Sequence, residues 1–294
     1  MTANITNITL GALLAEGVSR LSASLAADPA GMNPNLDAEV LLSHVFGLPR
    51  ARLRSHPETT ASAVATEYLS LVERRAAGEP LAYLTGWRDF WSLRLAVSPA
   101  VLVPRPETEL LVERALALHT APLGRVADLG TGSGAIALSL ASERPDWEVI
   151  ATDVSAAALA VARANAASLS LARVEFRQGS WYEPLVGERY DLLLCNPPYV
   201  AADDPVLRRP PLALEPPVAL TPGADALECL RTLVRGAHTH LEADGWLLLE
   251  HGADQGSAVR RELVATGFRS VRSHCDLAGH ERMTEAQKGQ NDQI

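Results

Sequence analysis

The stretch Arg125-Val-Ala-Asp-Leu129, Gly130-Thr-Gly-Ser-Gly134 and the apolar residues from Ala135 to Ser142 limit the possible folds more than any other. A short apolar run reads as a buried strand, and a longer one after the glycines reads as a helix. Glycines let the backbone turn tightly and approach a ligand, and the start of the helix presents unpaired N–H groups. Residues 148–152 are a second strand, ending at Asp153 about twenty residues past the glycines, where nucleotide-binding folds place a ribose-binding carboxylate. Asp153 is equally suited to cap a helix at 155–167. Further strands are expected at 174–178, 190–195, 245–251, 268–275 and 281–284, with helices at 224–241 and 253–266. Strands alternating with helices predict an α/β domain with a mostly parallel sheet and helices on both faces.

The second informative stretch is Asp191-Leu-Leu-Leu-Cys-Asn-Pro-Pro-Tyr-Val200. Its apolar run is a central strand, and two prolines without N–H groups force the chain out of the sheet at Asn196. Residues beyond a strand's carboxyl end stand at the mouth of a site in such sheets. The Asn196 side chain and the Pro197 backbone each supply a carbonyl acceptor, and two adjacent acceptors can take both hydrogens of a planar –NH2 group. Tyr199 can lay a flat ring against that group. An amide or aromatic amine is a poor nucleophile because its lone pair is delocalised, so holding its hydrogens and aiming its lone pair is catalysis by positioning. Alone, Asn-Pro-Pro-Tyr is equally a strand-ending turn; its pairing with the glycine turn favours a site. Trp181, at the end of the 174–178 strand, is read as a wall for a flat ring, and the proline-rich loop 201–222 as a lid.

Residues 1–84 show helical spacing without strand patterns. Thr9 is placed to cap a helix bearing Leu10, Leu13, Leu14, Val18, Leu21 and Leu25, broken at Asp28-Pro29-Ala30-Gly31. A second helix at 36–46 carries Val40, Leu41, His44 and Val45, with His44 read as a packing residue. A turn at 49–53 and a third helix at 60–77 complete a small bundle. In 85–104, Leu93, Leu95 and Val97 alternate, Ser98-Pro99-Ala100 turns and Val101-Leu-Val103 follows, which predicts a β-hairpin linker. Pro104-Arg-Pro-Glu-Thr-Glu109 leads into a helix ending near residue 118, with Thr108 suited to its N-terminus. The large domain is expected over 105–284 and a disordered tail over 285–294.

The net charge of −9 argues against a protein that holds nucleic acid by neutralising phosphates. Three scattered cysteines show neither disulfide nor metal spacing. His238 and His240, two apart, do not share a helix face, so no metal site is expected. No stretch has membrane-spanning length or a signal pattern, so the cytoplasm is the expected location.

Taken together, Asp128-Leu-Gly-Thr-Gly-Ser-Gly134, Asp153 and Asn196-Pro-Pro-Tyr199 resemble the S-adenosylmethionine-dependent amino-group methyltransferases. Glu79-Pro-Leu-Ala-Tyr-Leu-Thr-Gly86, Val101-Leu-Val-Pro-Arg-Pro-Glu-Thr-Glu109, Glu215-Pro-Pro-Val-Ala-Leu220 and Asp276-Leu-Ala-Gly279 narrow this to the HemK/PrmC family. The resemblance covers nearly the whole chain. It implies a class I, Rossmann-like S-adenosylmethionine-dependent methyltransferase domain behind a small all-helical domain that helps bind the substrate protein. It further implies methylation of the side-chain amide of the glutamine in the Gly-Gly-Gln loop of peptide-chain release factors. Gly130, Thr131, Gly132, Ser133, Gly134, Asp153, Trp181 and Asn196 would hold the cofactor, S-adenosyl-L-methionine. Asn196, Pro197, Pro198 and Tyr199 would hold the glutamine amide. A monomer without metal or nucleic acid is expected. Ser92, in place of a glycine, and Gly279-His-Glu-Arg282 depart from the family pattern.

Rivals with the same catalytic motif are a glutamine methyltransferase of a ribosomal protein and an adenine methyltransferase acting on a flipped base. Gly130-x-Gly132-x-x-Ala135 also fits an NAD-dependent oxidoreductase, and a non-catalytic cofactor-binding scaffold is the remaining alternative.

Overall fold

The computed structural model describes residues 8–25 and 33–289. The chain divides into two compact units, one reaching Gly86 and including Arg208–Leu214, the other comprising Trp87–Leu207 and the residues from Glu215 on.

The first unit contains helices α1 (Leu10–Leu25), α2 (Pro34–Phe46), α3 (Arg50–Ser55), α4 (Ala65–Ala76) and α5 (Leu81–Thr85). Thr9 caps α1 through its hydroxyl, which accepts the Ala12 N–H at 3.3 Å. Leu13, Leu21, Leu41, Leu42, Tyr68 and Val72 are fully buried in the core. Asp37 and Arg75 pair inside it at 2.8 Å, and Arg75 also donates to the Glu79 carbonyl, so neither charge is stranded.

Several expectations change here. The turn at 49–53 is the helix α3, whose arginines 50 and 54 both reach Glu39. The long helix from residue 60 begins instead as a 3-10 turn at Ser62–Val64. His44 is exposed, because Asp37, Ala38, Leu41 and Leu42 form the buried face of α2. The expected break at Asp28 to Gly31 lies outside the described residues.

The second unit opens with a hairpin, β1 (Trp87–Phe90) against β2 (Leu93–Ala96), turning at Trp91-Ser92. The predicted hairpin was displaced by one strand. Ser98 and Val101 close a local turn, but the Val103 N–H donates to the Glu215 carboxylate rather than to a strand. The hairpin is part of this unit, not a linker: Phe90 and Leu95 are buried in its core, and the Trp91 N–H donates to Glu109 at 2.8 Å.

The seven-stranded sheet runs β5-β4-β3-β6-β7-β9-β8. Its strands are β3 (Arg125–Leu129), β4 (Glu148–Asp153), β5 (Glu175–Gln178), β6 (Tyr190–Cys195), β7 (Leu241–Glu250), β8 (Arg269–Cys275) and β9 (Glu281–Gln287). The first five strands in that order pair in parallel, and β9 runs antiparallel to both neighbours. Helices α6 (Glu109–Leu118), α7 (Ala135–Glu143), α8 (Ala156–Ser168), α9 (Glu228–His240) and α10 (Gly256–Ala265) complete it. Strand alternation divides the core. Val126, Leu192, Leu194 and Leu248 face α6 and α7, whereas Ala127, Leu193, Leu247 and Leu249 face α9 and α10. Strand order reverses between β3 and β6, and a crevice outside their carboxyl ends is the consequence.

The tail expected from Glu285 is instead the end of β9, where Glu285 pairs with Arg114 and Ala286 is fully buried. Lys288, the chain's one lysine, is buried too, donating to the carbonyls of His238 at 2.7 Å and Leu241 at 2.8 Å at the end of α9. A cation there complements the negative end of a helix. Residues 290–294 lie outside the described part.

Candidate active site

At the reversal point lies a cavity of about 340 Å³, within the range of small-molecule sites. Its floor is the glycine turn after β3. Further walls come from Asp153 at the end of β4, Trp181 after β5, and Asn196 and Pro198 after β6. The remaining sides are the 100–105 segment and part of the 216–222 loop.

The turn is held by its neighbours. Gly130 and Thr131 N–H groups both donate to the Thr152 carbonyl at 2.9 Å, which docks the turn on the end of β4. Gly130, Gly132 and Gly134 have φ of +76°, +56° and +86°, a region costly for residues with a Cβ. A Cβ on Gly132 would meet nothing within 4 Å, whereas one on Gly134 would lie 2.9 Å from Leu138 Cδ1. Gly132 therefore leaves open space beside the cavity and Gly134 allows close packing.

Asp128, fully buried under the turn, accepts from the Thr131 hydroxyl at 2.6 Å and the Ala137 N–H at 3.2 Å through one oxygen. Its other oxygen has no partner among the described residues. Burial raises this carboxyl to about 7 despite those bonds. Asp153 accepts the Gly132 N–H at 2.9 Å and the Ser155 N–H at 2.8 Å. It is not the cap of α8: Ser155 fills that role, accepting from Ala158. Burial also raises the Asp153 carboxyl above its ordinary value. Trp181 sits at φ +46°, and its ring comes within 3.4 Å of where a Gly130 Cβ would be. The Thr152 hydroxyl holds the Trp181 carbonyl at 3.3 Å.

Of the predicted site residues, Gly130, Thr131, Gly132, Ser133, Asp153, Trp181, Asn196 and Pro198 line the cavity together. Gly134 lies at the start of α7, Pro197 is buried, and Tyr199 stands beside the cavity rather than in its wall. The Tyr199 hydroxyl donates to Glu250 Oε1 at 3.3 Å, and its carbonyl accepts from Gln255 at 2.9 Å. The phenol is pushed up by burial and by Glu250. Asn196 donates through Nδ2 to the Thr108 hydroxyl at 3.1 Å.

Four contributors escaped sequence reasoning. Thr108 makes no capping bond for α6 and instead receives Asn196. Glu250, at the end of β7, is buried, and burial raises it to about 7 against the hydrogen bond from Tyr199. Glu215, whose side chain is fully buried, accepts from Val103 N–H and from Arg105 at 2.5 Å. The proposed lid is thereby clasped to the 100–105 segment. Asn165 on α8 bonds the Ala96 N–H and carbonyl and the Ser133 carbonyl, tying β2 to the glycine turn. For Glu250 and Asn165 the signals were an acid closing a strand and a polar residue on an apolar helix face; Thr108 and Glu215 stand in the family-like stretches, without a role read for either. His238 and His240 engage aromatic rings, of Phe268 and Tyr182 respectively.

A mostly parallel sheet of this order, with a glycine turn and an Asn-Pro-Pro-Tyr segment at adjacent strand ends, defines a class I methyltransferase. Residues 106–208 match the methyltransferase small domain and residues 12–86 match the PrmC N-terminal domain. The release factor glutamine methyltransferase of Xylella fastidiosa strain Temecula1 is 53% identical over 251 residues, 85% of this chain and 91% of that protein. The protein of the same name from Escherichia coli K12 is 41% identical over 272 residues, covering 92% and 96%. A solved methyltransferase from Pyrococcus furiosus aligns with a TM-score of 0.52 at 17% identity, over 76% of this chain and 99% of that one. The chain belongs to the release factor glutamine methyltransferase family. No helix among the described residues is long and apolar enough to cross a membrane.

Proposed function

We propose that the protein transfers a methyl group from S-adenosyl-L-methionine to the side-chain amide nitrogen of the Gly-Gly-Gln glutamine in peptide-chain release factors. It would act as a cytoplasmic monomer, without metal or nucleic acid. The observation that carries the reading is that one cavity joins the glycine turn and Asp153 to Asn196.

The residues present fit the cofactor. Gly132 leaves space that a Cβ would fill. Asp153 is a carboxylate suited to ribose hydroxyls, and Trp181 offers a flat wall for adenine. Gly130 to Gly134 would follow the amino-acid and ribose portion. When bound, the cofactor supplies an electrophilic methyl on a sulfonium.

The chain's own residues supply position. Asn196 Oδ1 and the Pro197 carbonyl would accept the two amide hydrogens of the substrate glutamine. That would raise electron density on nitrogen and fix the direction of its lone pair. Pro198 and Tyr199 would confine the flat amide. The amide nitrogen would accept the methyl that the cofactor supplies and would give up one proton to solvent. No strong base is needed, because the methylated nitrogen is far more acidic than the amide it came from.

The test is methyl transfer from labelled cofactor to a purified release factor, beside one whose Gly-Gly-Gln glutamine is alanine. Label on the first alone, mapped to a single methyl on that glutamine, supports the proposal. Label on neither, with cofactor binding intact, overturns it in favour of a ribosomal-protein or nucleic-acid substrate.

A further inference from the structure

Asn196 can serve as an acceptor only if its amide is turned the right way. The two ends of an asparagine side chain are nearly the same shape, and only hydrogen bonding decides which one faces a site. Asn196 is half-buried, and its one side-chain bond among the described residues is Nδ2 to the Thr108 hydroxyl, 3.1 Å away. Thr108 is 4% exposed and lines the same cavity. A hydroxyl has a single proton. The Thr108 oxygen takes the Nδ2 hydrogen, so its own proton points elsewhere. Accepting from Nδ2 leaves Oδ1 for the cavity. Buried Glu250 receives the Tyr199 hydroxyl at 3.3 Å and so holds the other end of the Asn-Pro-Pro-Tyr segment.

We infer that Thr108 is a positioning residue for the transfer, holding the Asn196 amide with Oδ1 toward the substrate. The inference rests on the proposed function and adds the group that orients its acceptor. It also assigns a purpose to the Thr in Pro106-Glu-Thr-Glu109, which capping does not supply.

Thr108→Val keeps the shape and removes the hydroxyl, facing Nδ2 with a methyl group. An unpaired buried donor turns or displaces the amide, and displacement of a positioning group costs about 10- to 100-fold in rate. In single-turnover methylation of a release factor, Thr108→Val is expected to slow transfer by that factor. The KM for the release factor and the Kd for S-adenosyl-homocysteine should stay within about twofold, and Thr108→Ser should restore most of the rate. Wild-type rate in Thr108→Val, equal loss in Thr108→Ser, or a parallel loss of S-adenosyl-homocysteine binding would overturn the inference. A second readout needs no substrate. The Asn196 side-chain NH2 signals in a 15N spectrum, assigned by their loss in Asn196→Ala, should move upfield in Thr108→Val and not in Thr108→Ser. Unchanged signals sink the inference even if transfer is seen. Moved signals with no transfer by wild type support the amide's orientation while removing the release-factor reading.

Discussion

Asp128→Asn should make the methyltransferase unit more stable above neutral pH, although it removes a charge next to the glycine turn. The Asp128 carboxyl is raised from an ordinary 3.8 to about 7 by complete burial. Between those values the unfolded chain gives up its proton while the folded chain keeps it. Stability therefore falls as pH rises through this window and levels off above about 7. At about 1.4 kcal/mol per pH unit, the cost at pH 8 is roughly 4 kcal/mol. Asparagine can accept from Thr131 and Ala137 as the present oxygen does. Replacing a charged acceptor by a neutral one forfeits about 1 kcal/mol. The net gain at pH 8 is then about 3 kcal/mol, shrinking to under about 1 kcal/mol at pH 5, where Asp128 is protonated in the fold. All five tryptophans, at 87, 91, 147, 181 and 246, lie in this unit. Urea unfolding followed by tryptophan fluorescence at pH 5 to 8 thus reports it selectively. The difference between variant and parent is the quantity to use, because Glu250 is also raised and His251 lowered, and their slopes cancel in it. A variant less stable than the parent at pH 8, with a difference independent of pH, would refute the argument.

Glu215→Ala should cost about 3 kcal/mol or more, because it strands the Val103 N–H and the Arg105 charge; Glu215→Gln should cost less, by the same urea assay. Gly134→Ala combines positive φ with a 2.9 Å approach to Leu138 and should lower stability by about 2 kcal/mol. Gly132→Ala, with nothing within 4 Å, should cost about 1 kcal/mol and act mainly on S-adenosyl-homocysteine affinity, read by calorimetry. Asn165→Ala breaks three hydrogen bonds between the hairpin and the glycine turn and should destabilise by about 2–3 kcal/mol in thermal melts.

The sheet and the glycine turn were readable because unbroken apolar runs and glycine spacing are local signals. Leu192 to Cys195 and Leu247 to Leu249 are buried on both faces, as their unbroken apolar runs require. The hairpin was misplaced for want of such a signal: Trp91-Ser92 turns without glycine or asparagine, Trp91 taking φ +55°. The polar end of β9 looked like a tail because Glu285 and Lys288 read as exposed by type. Burial there depends on Arg114 and on two carbonyls near the end of α9, far away in sequence. Asn196 and Asp153 were legible from motif position, whereas Thr108 and Glu250 were not. Thr108 meets Asn196 from 88 positions away in the chain, and no spacing rule reaches that far.

The placement of β9 between β7 and β8 has a bearing on synthesis. As the chain emerges, β8 comes out before the strand that joins it to the sheet. Until residues 281–287 follow, β7 carries an open edge through Leu247, Leu248 and Leu249, all destined for full burial. An unpaired apolar edge is a template for another chain's strand. A product stopped between Glu250 and Glu281 would keep that edge permanently. Nonsense alleles of this region should therefore yield insoluble polypeptide rather than a weakened enzyme.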